Sequence, residues 1–283
     1  MDRIRAGMPL RVLAVAIAAL AAVAVSACGD DGTQTLDIKA SGAKDKTEIT
    51  APSSADAGVT EITLDNSSKG SATAQLIRVE GDHSADEVVR VLGGVIDGKP
   101  FPDWFFAGGG VNATEPSQSA TVTQDLQPGT YYVFNDESEG PPDPKTMPAI
   151  KVTGEASDAL PETDATIATI DYGFEFDGEL KAGENEITFE NKGGQPHHIL
   201  ASPLVEGATV DDVVPFFKTE KGKPPLERDT ASTTVVEGGE SQVVTLNLKK
   251  PGEYAFYCFV SDRQGGPPHV FKGMVDTASV GQG

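Results

Sequence analysis

Two imidazoles, one thiol and one thioether stand out in the last third of this 283-residue chain. His197 follows Gln195-Pro196 and precedes His198. Cys258 lies between Tyr257 and Phe259, His269 follows Gly265-Gly266-Pro267-Pro268, and Met274 comes next with four residues between. Soft sulfur favours Cu(I), imidazole serves both oxidation states, and a weak axial thioether tolerates trigonal geometry. The donor set therefore suits a copper ion that gains and loses one electron. Zinc also accepts one Cys and two His, but a thioether is a poor zinc ligand. Taken singly these residues read as structure: a lone Cys in an aromatic strand is a small buried hydrophobe. Their conjunction and order point to a metal.

The elements that must position them are short strands. Val243-Val244-Thr245-Leu246-Asn247-Leu248, Tyr254-Ala255-Phe256-Tyr257 and Ile187-Thr188-Phe189 carry period-two or continuous apolar patterns. The 31 Gly and 19 Pro punctuate them as turns do, which predicts an all-β antiparallel sandwich architecture. One helix interrupts the pattern early, where Ser84-Ala85-Asp86-Glu87 has capping-box form before Val88, Val89, Val91 and Leu92. A second is expected from near Thr209 through Val213 and Phe216, with Pro215 limiting its length.

The pattern is written twice. Glu61-Ile62-Thr63-Leu64-Asp65-Asn66 matches Glu186-Ile187-Thr188-Phe189-Glu190-Asn191, Gly98-Lys99-Pro100 matches Gly222-Lys223-Pro224, and Pro128-Gly129-Thr130-Tyr131 matches Pro251-Gly252-Glu253-Tyr254. Such self-similarity marks a duplicated domain. The expected division is 35–153, a polar linker at 154–165, and 166–283.

The second copy resembles a cupredoxin, the blue-copper sandwich family. The resemblance rests on a His, then far downstream Pro-Gly-x-Tyr-x-x-x-Cys, a loop, a second His and a Met, and it spans roughly residues 166–280. It implies a Greek-key sandwich, one type 1 copper and the ligands His197, Cys258, His269 and Met274. His198 stands where the family often has Asn, and the choice between His197 and His198 stays open. Ten residues separate Cys258 from His269, more than in small plastocyanin-like members. Aligning the repeats sets Asn135 opposite Cys258, Asp143 opposite His269 and Ser71 to Thr73 opposite Pro196 to His198. The first copy is thus expected to bind no metal and to act as a spacer, docking surface or dimer element. Its Trp104, Phe105 and Phe106 read either as an apolar docking patch or as a sandwich edge folded inward.

The N-terminus reads as an address. Arg3, Arg5 and Arg11 flank an apolar run from Val12 to Val25, too short for a spanning helix of about 20 residues. A basic start, a short apolar core and small residues describe a secretory signal over 1–27. Val25-Ser26-Ala27-Cys28 resembles a bacterial lipobox, which implies lipidation of Cys28, a tether over 28–34 and attachment to the outer face of the cell membrane. With Cys28 acylated, Cys258 has no partner for a disulfide.

The formal net charge of -21 disfavours nucleic acid as a partner and suits a redox partner with a basic surface. Gly93 to Lys99 has P-loop spacing, but Pro100 replaces the Ser or Thr that would hold magnesium, so no nucleotide is expected. Tandem domains of this family also suggest nitrite reductases and multicopper oxidases. Those need a second copper fed by a His beside the Cys, and here Tyr257 and Phe259 hold those positions. The expectation is therefore an electron carrier and no enzyme. The alternatives are surface copper capture or delivery with the same ligands, or a protein-binding lipoprotein with a vestigial site.

Overall fold

The computed structural model describes residues 33–283 except 45, 138–141 and 156–158. The expected signal segment and Cys28 lie outside the described residues. In the first half the strands are β1 (Gln34–Ala43), β2 (Lys46–Thr50), β3 (Ser54–Asp56), β4 (Gly58–Asn66), β5 (Ala72–Val79), β6 (Phe105–Thr114), β7 (Gln118–Leu126), β8 (Gly129–Phe134) and β9 (Ala149–Thr153). In the second they are β10 (Ala165–Ile170), β11 (Gly173–Asp177), β12 (Leu180–Lys181), β13 (Gly183–Asn191), β14 (Leu200–Pro203), β15 (Ala231–Ser232), β16 (Ser241–Leu248), β17 (Gly252–Tyr257) and β18 (Val275–Gly281). Helices α1 (Ala85–Ile96) and α2 (Val213–Thr219) complete the fold.

Alternation decides which face each strand buries. In β4, Ile62 and Leu64 point inward while Glu61 and Asp65 face water; in β13, Ile187 and Phe189 take the inner positions. The chain is all-β, two sandwiches in tandem, and the second half repeats the strand order of the first. β1 runs parallel to β4 as β10 does to β13, and β8 lies between β5 and β9 as β17 lies between β14 and β18. The shared Pro-Gly-x-Tyr segment does one job in both. Tyr131 Oη donates to the Gln127 carbonyl at 2.9 Å and Tyr254 Oη to the Lys250 carbonyl at 3.1 Å, pinning the corner before each central strand.

The sandwiches are not separate beads. β16 meets β7 edge to edge, Gln242 opposite Gln124 and Val243 opposite Thr123, so one eight-stranded sheet runs through both halves in the order β11-β10-β13-β16-β7-β4-β1-β2. The pairing covers two edges that would otherwise stand open. Each end of that sheet is backed by a five-stranded sheet, β3-β9-β8-β5-β6 or β12-β18-β17-β14-β15.

α1 starts at the expected capping box, with Glu87 Oε2 accepting from the Ser84 amide at 2.9 Å. α2 starts later than its sequence signal. Thr209 and Asp212 cap a 3-10 turn over Val210–Asp212, and the α-helix follows. Pro215 falls in its first turn, where a missing N–H is harmless, so it does not end the helix. Glu220 does, in the left-handed region at φ 51°. The P-loop-like Gly93 to Lys99 lies at the C-terminal end of α1, where carbonyls and not amides are free.

Candidate metal centre

Each donor is set by backbone pairing in the second sandwich. His197 lies between β13 and β14 and pairs with Val236 in both directions, its amide donating at 3.0 Å and its carbonyl accepting at 2.8 Å. Asn191, the last residue of the repeated segment, holds both sides of that pair through Nδ2. It donates to the Gln195 carbonyl at 2.8 Å and to the Val236 carbonyl at 3.0 Å. Cys258 directly follows β17, a central strand held from both sides. Its carbonyl accepts from Val270 at 2.8 Å, and the His269 amide donates to Val260 at 2.8 Å, which folds the loop back on itself. Residues His269–Lys272 form a 3-10 turn stopped by Gly273 at φ 101°, a conformation that favours glycine. Met274 follows, its amide donating to the His269 carbonyl at 3.0 Å.

The result is a buried triangle. Cys258 Sγ lies 3.8 Å from His197 Nδ1 and 3.6 Å from His269 Nδ1, and the two nitrogens are 3.0 Å apart. The circle through the three atoms has a radius of about 2.0 Å, a bonding distance for imidazole nitrogen and slightly short for thiolate sulfur. His197, Cys258, His269 and Met274 are each 0% exposed, and Met274 shares the buried cluster of Cys258. Among the described residues, the only group of His, Cys, Asp and Glu close enough to hold a metal is His197, Cys258 and His269. The donor set fits copper: two neutral nitrogens and a thiol converge with their donor atoms inward, and a thioether residue is buried with them.

The electrostatics prepare donors and not charges. Burial, and then the proximity of His269, push His197 down to about 4. Burial also lowers His269, although Asp262 works against it. Both rings are neutral at pH 7, as ligation requires. Burial pushes the Cys258 thiol up to about 12, while the backbone of His198 and Val260 hydrogen-bonds to the sulfur and favours its thiolate. A bound cation would tip that balance and release the proton.

The far nitrogens face carboxylates. His269 Nε2 lies 3.0 Å from Asp262 Oδ1, and Asp262 is itself held by Lys272 Nζ and by Tyr172 Oη at 3.0 and 3.2 Å. Burial pushes the Asp262 carboxyl up, but the bonds from Lys272 and Tyr172 outweigh it and hold it below the usual carboxylate value. His197 Nε2 stands 3.5 Å from Asp171 Oδ1, too far and too poorly aligned for a hydrogen bond, yet close enough to favour a proton on that side. The Asp262 carboxylate, as acceptor from His269 Nε2, favours the tautomer that frees Nδ1 of that ring for a metal.

His198 points elsewhere. It is half-buried, and its Nε2 accepts the Phe259 amide at 2.9 Å, so it braces the strand end beside Cys258. The structure therefore brings His197 into the triangle. Asp262 was findable as an acid inside the Cys-to-His loop. Asp171, in the turn between β10 and β11, carries no such signal.

Among the described residues, the first half has no such triangle. Asn135 follows β8 as Cys258 follows β17, and register sets Ala72 and Thr73 where the second half has His197 and His198. His83 stacks on Trp104 at 3.8 Å, away from this position. Of the aromatic trio, Phe105 is buried, while Phe106 lies beneath the Arg78 guanidinium at 4.3 Å.

No protein-family profile matches the chain, and no curated protein matches it. Among solved structures it is similar to reduced auracyanin from the photosynthetic bacterium Roseiflexus castenholzii, with 22% identity over 41% of this chain and 94% of that one, at TM-score 0.27. An azurin from the methylotroph Methylomonas sp. strain J gives 20% identity over 42% and 95%, at TM-score 0.26. Copper nitrite reductase from Nitrosomonas europaea gives 13% over 88% and 94%, at TM-score 0.24. Likeness at that level carries nothing about chemistry, which rests on this chain's own side chains.

Proposed function

We propose that this protein is an extracytoplasmic electron carrier that holds one type 1 copper with His197, Cys258, His269 and Met274. A lipid on Cys28 anchors it to the outer face of the bacterial cell membrane. The observation that carries the copper reading is the buried triangle of two Nδ1 atoms and one Sγ around a point about 2.0 Å from each, within bonding reach for the nitrogens and slightly short for the sulfur. Copper bound there would supply one-electron exchange between Cu(II) and Cu(I).

The chain's own part is to hold donors still and keep water out. His197 and His269 present unprotonated Nδ1 atoms, and Cys258 gives up its proton on binding. The backbone bonds at Cys258, Val260, His269 and Met274 resist rearrangement when charge changes by one. Tyr257 and Phe259 flank Cys258 where an oxidase or reductase of this type would need a His relay, so the reading is a carrier and no enzyme. The acidic surface, at net charge -21, suits a redox partner with a basic face.

Absorption and EPR spectra of the Cu(II)-loaded protein, with reduction and reoxidation, test this reading. It predicts an intense thiolate-to-copper absorption that bleaches and returns. Colourless, exchangeable Cu(I) binding would instead indicate copper capture or delivery by the same donors. No metal uptake would leave a protein-binding lipoprotein.

A further inference from the structure

The loop between Cys258 and His269 is gripped by the other half of the chain. The Phe101 amide donates to the Arg263 carbonyl at 2.8 Å, and the Gly266 amide donates to the Gly98 carbonyl at 3.1 Å. Gly265, at φ +79°, lies so close to Gly98 and Lys99 that any side-chain carbon would collide with their backbone. The Arg263 guanidinium donates through Nη2 to the carbonyls of Pro102 at 3.1 Å and Phe105 at 3.0 Å. It also lies 5.1 Å from the Phe106 ring centre.

The other ligand is held from the same side. Val236, the backbone partner of His197, sits between two residues that the first half fixes. Gln75 Oε1 accepts the Val235 amide at 2.7 Å and the Gly109 amide donates to the Val235 carbonyl at 3.0 Å. The Glu237 amide donates to the Ala107 carbonyl, and its Oε2 accepts the Ala107 amide, both at 3.0 Å. Arg263 closes the circuit. Its Nη1 donates to the same Glu237 Oε2 at 2.8 Å, and its amide donates to Gln195 Oε1 at 2.7 Å, two residues before His197.

We propose that the first half of the chain is a clamp on the metal site and that Arg263 is its positioning residue. Through Arg263 one rigid body sets the Cys-to-His loop and the His197 segment at a fixed separation, which fixes the spacing of the three donors. The guanidinium ties three acceptors from two nitrogens, Nη1 to Glu237 and Nη2 to Pro102 and Phe105, a fixed planar fork that a single ammonium nitrogen lacks. What that spacing serves rests on the copper reading; the clamp itself is visible without metal.

The test uses the full chain. In metal-free protein, Arg263→Ala is expected to speed amide hydrogen exchange across 258–270 by about tenfold, with the first-half strands β1 and β4 unchanged, as for local opening of one unit. Arg263→Lys, which keeps the charge and loses the fork, is expected not to restore protection. In the copper-loaded protein the same variant shifts the reduction potential and the EPR hyperfine splitting. Exchange within about twofold of wild type would overturn the clamp, and an unchanged potential and EPR spectrum would overturn the positioning role. Should Arg263→Ala fail to fold, Glu237→Gln and Phe106→Ala carry the same expectations with smaller changes. Should wild type take up no copper, the electron-carrier reading fails while the exchange result still decides the clamp.

Discussion

The backbone amide of Thr73 donates to Oδ1 of Asn135 at 2.9 Å, in the register position where the amide of His198 meets the sulfur of Cys258. An amide oxygen thus occupies the thiolate's place in the first half and satisfies the same donor. Sulfur alone would not make a site there, because Ala72 stands where His197 does. Asn135→Cys is therefore expected to leave copper binding at one ion per chain, measured by metal analysis after gel filtration. Two ions would show that the first half retains a binding geometry.

Asp262 orients His269 through Nε2 while Lys272 and Tyr172 hold it in place. Outer carboxylates of this kind are worth about 10–100-fold in metal affinity. Asp262→Ala is expected to weaken copper retention against a competing chelator by that factor with the fold intact. Retention equal to wild type would show that His269 is oriented by packing alone.

Much of the site was legible because its chemistry is local in type. One Cys, two His and a Met in a recognisable order named themselves, and Ser84 and Glu87 announced α1. The choice of His197 over His198 was not legible, since it depends on which ring the Val236 pairing turns inward. The grip of Arg263 was equally hidden, because its partners Pro102, Phe105 and Glu237 come together only through the fold. Nor does alternation reveal which edge strands meet. The β16–β7 junction uses two residue pairs, and Val243 and Thr123 look like any other strand residues.

Glu240 lies near that junction, and burial raises its carboxyl above the usual value, with Asp125 and Glu237 adding to the effect against Arg78. A raised folded-state pKa means that the folded chain binds more protons, so stability falls as pH rises from about 4.5 through that pKa. Glu240→Gln is expected to raise the apo melting temperature at pH 7 above that of wild type, because the buried charge is then gone. The gain should vanish near pH 4. An equal gain at both pH values would place its cause outside this titration.

Cys28 carries the proposed anchor. Cys28→Ser is expected to move the protein from the membrane pellet to the soluble extracytoplasmic fraction, with the lipid mass absent by mass spectrometry. Pelleting by the variant as by wild type would mean that another segment holds the membrane.

Removal of the thiolate is the most direct measurement. Cys258→Ser, loaded with Cu(II) and read by absorption beside wild type, should lose the intense charge-transfer band while circular dichroism keeps its β signature. A band of undiminished intensity in that variant would contradict the assignment of Cys258 as the sulfur donor, and with it the copper centre built on His197 and His269.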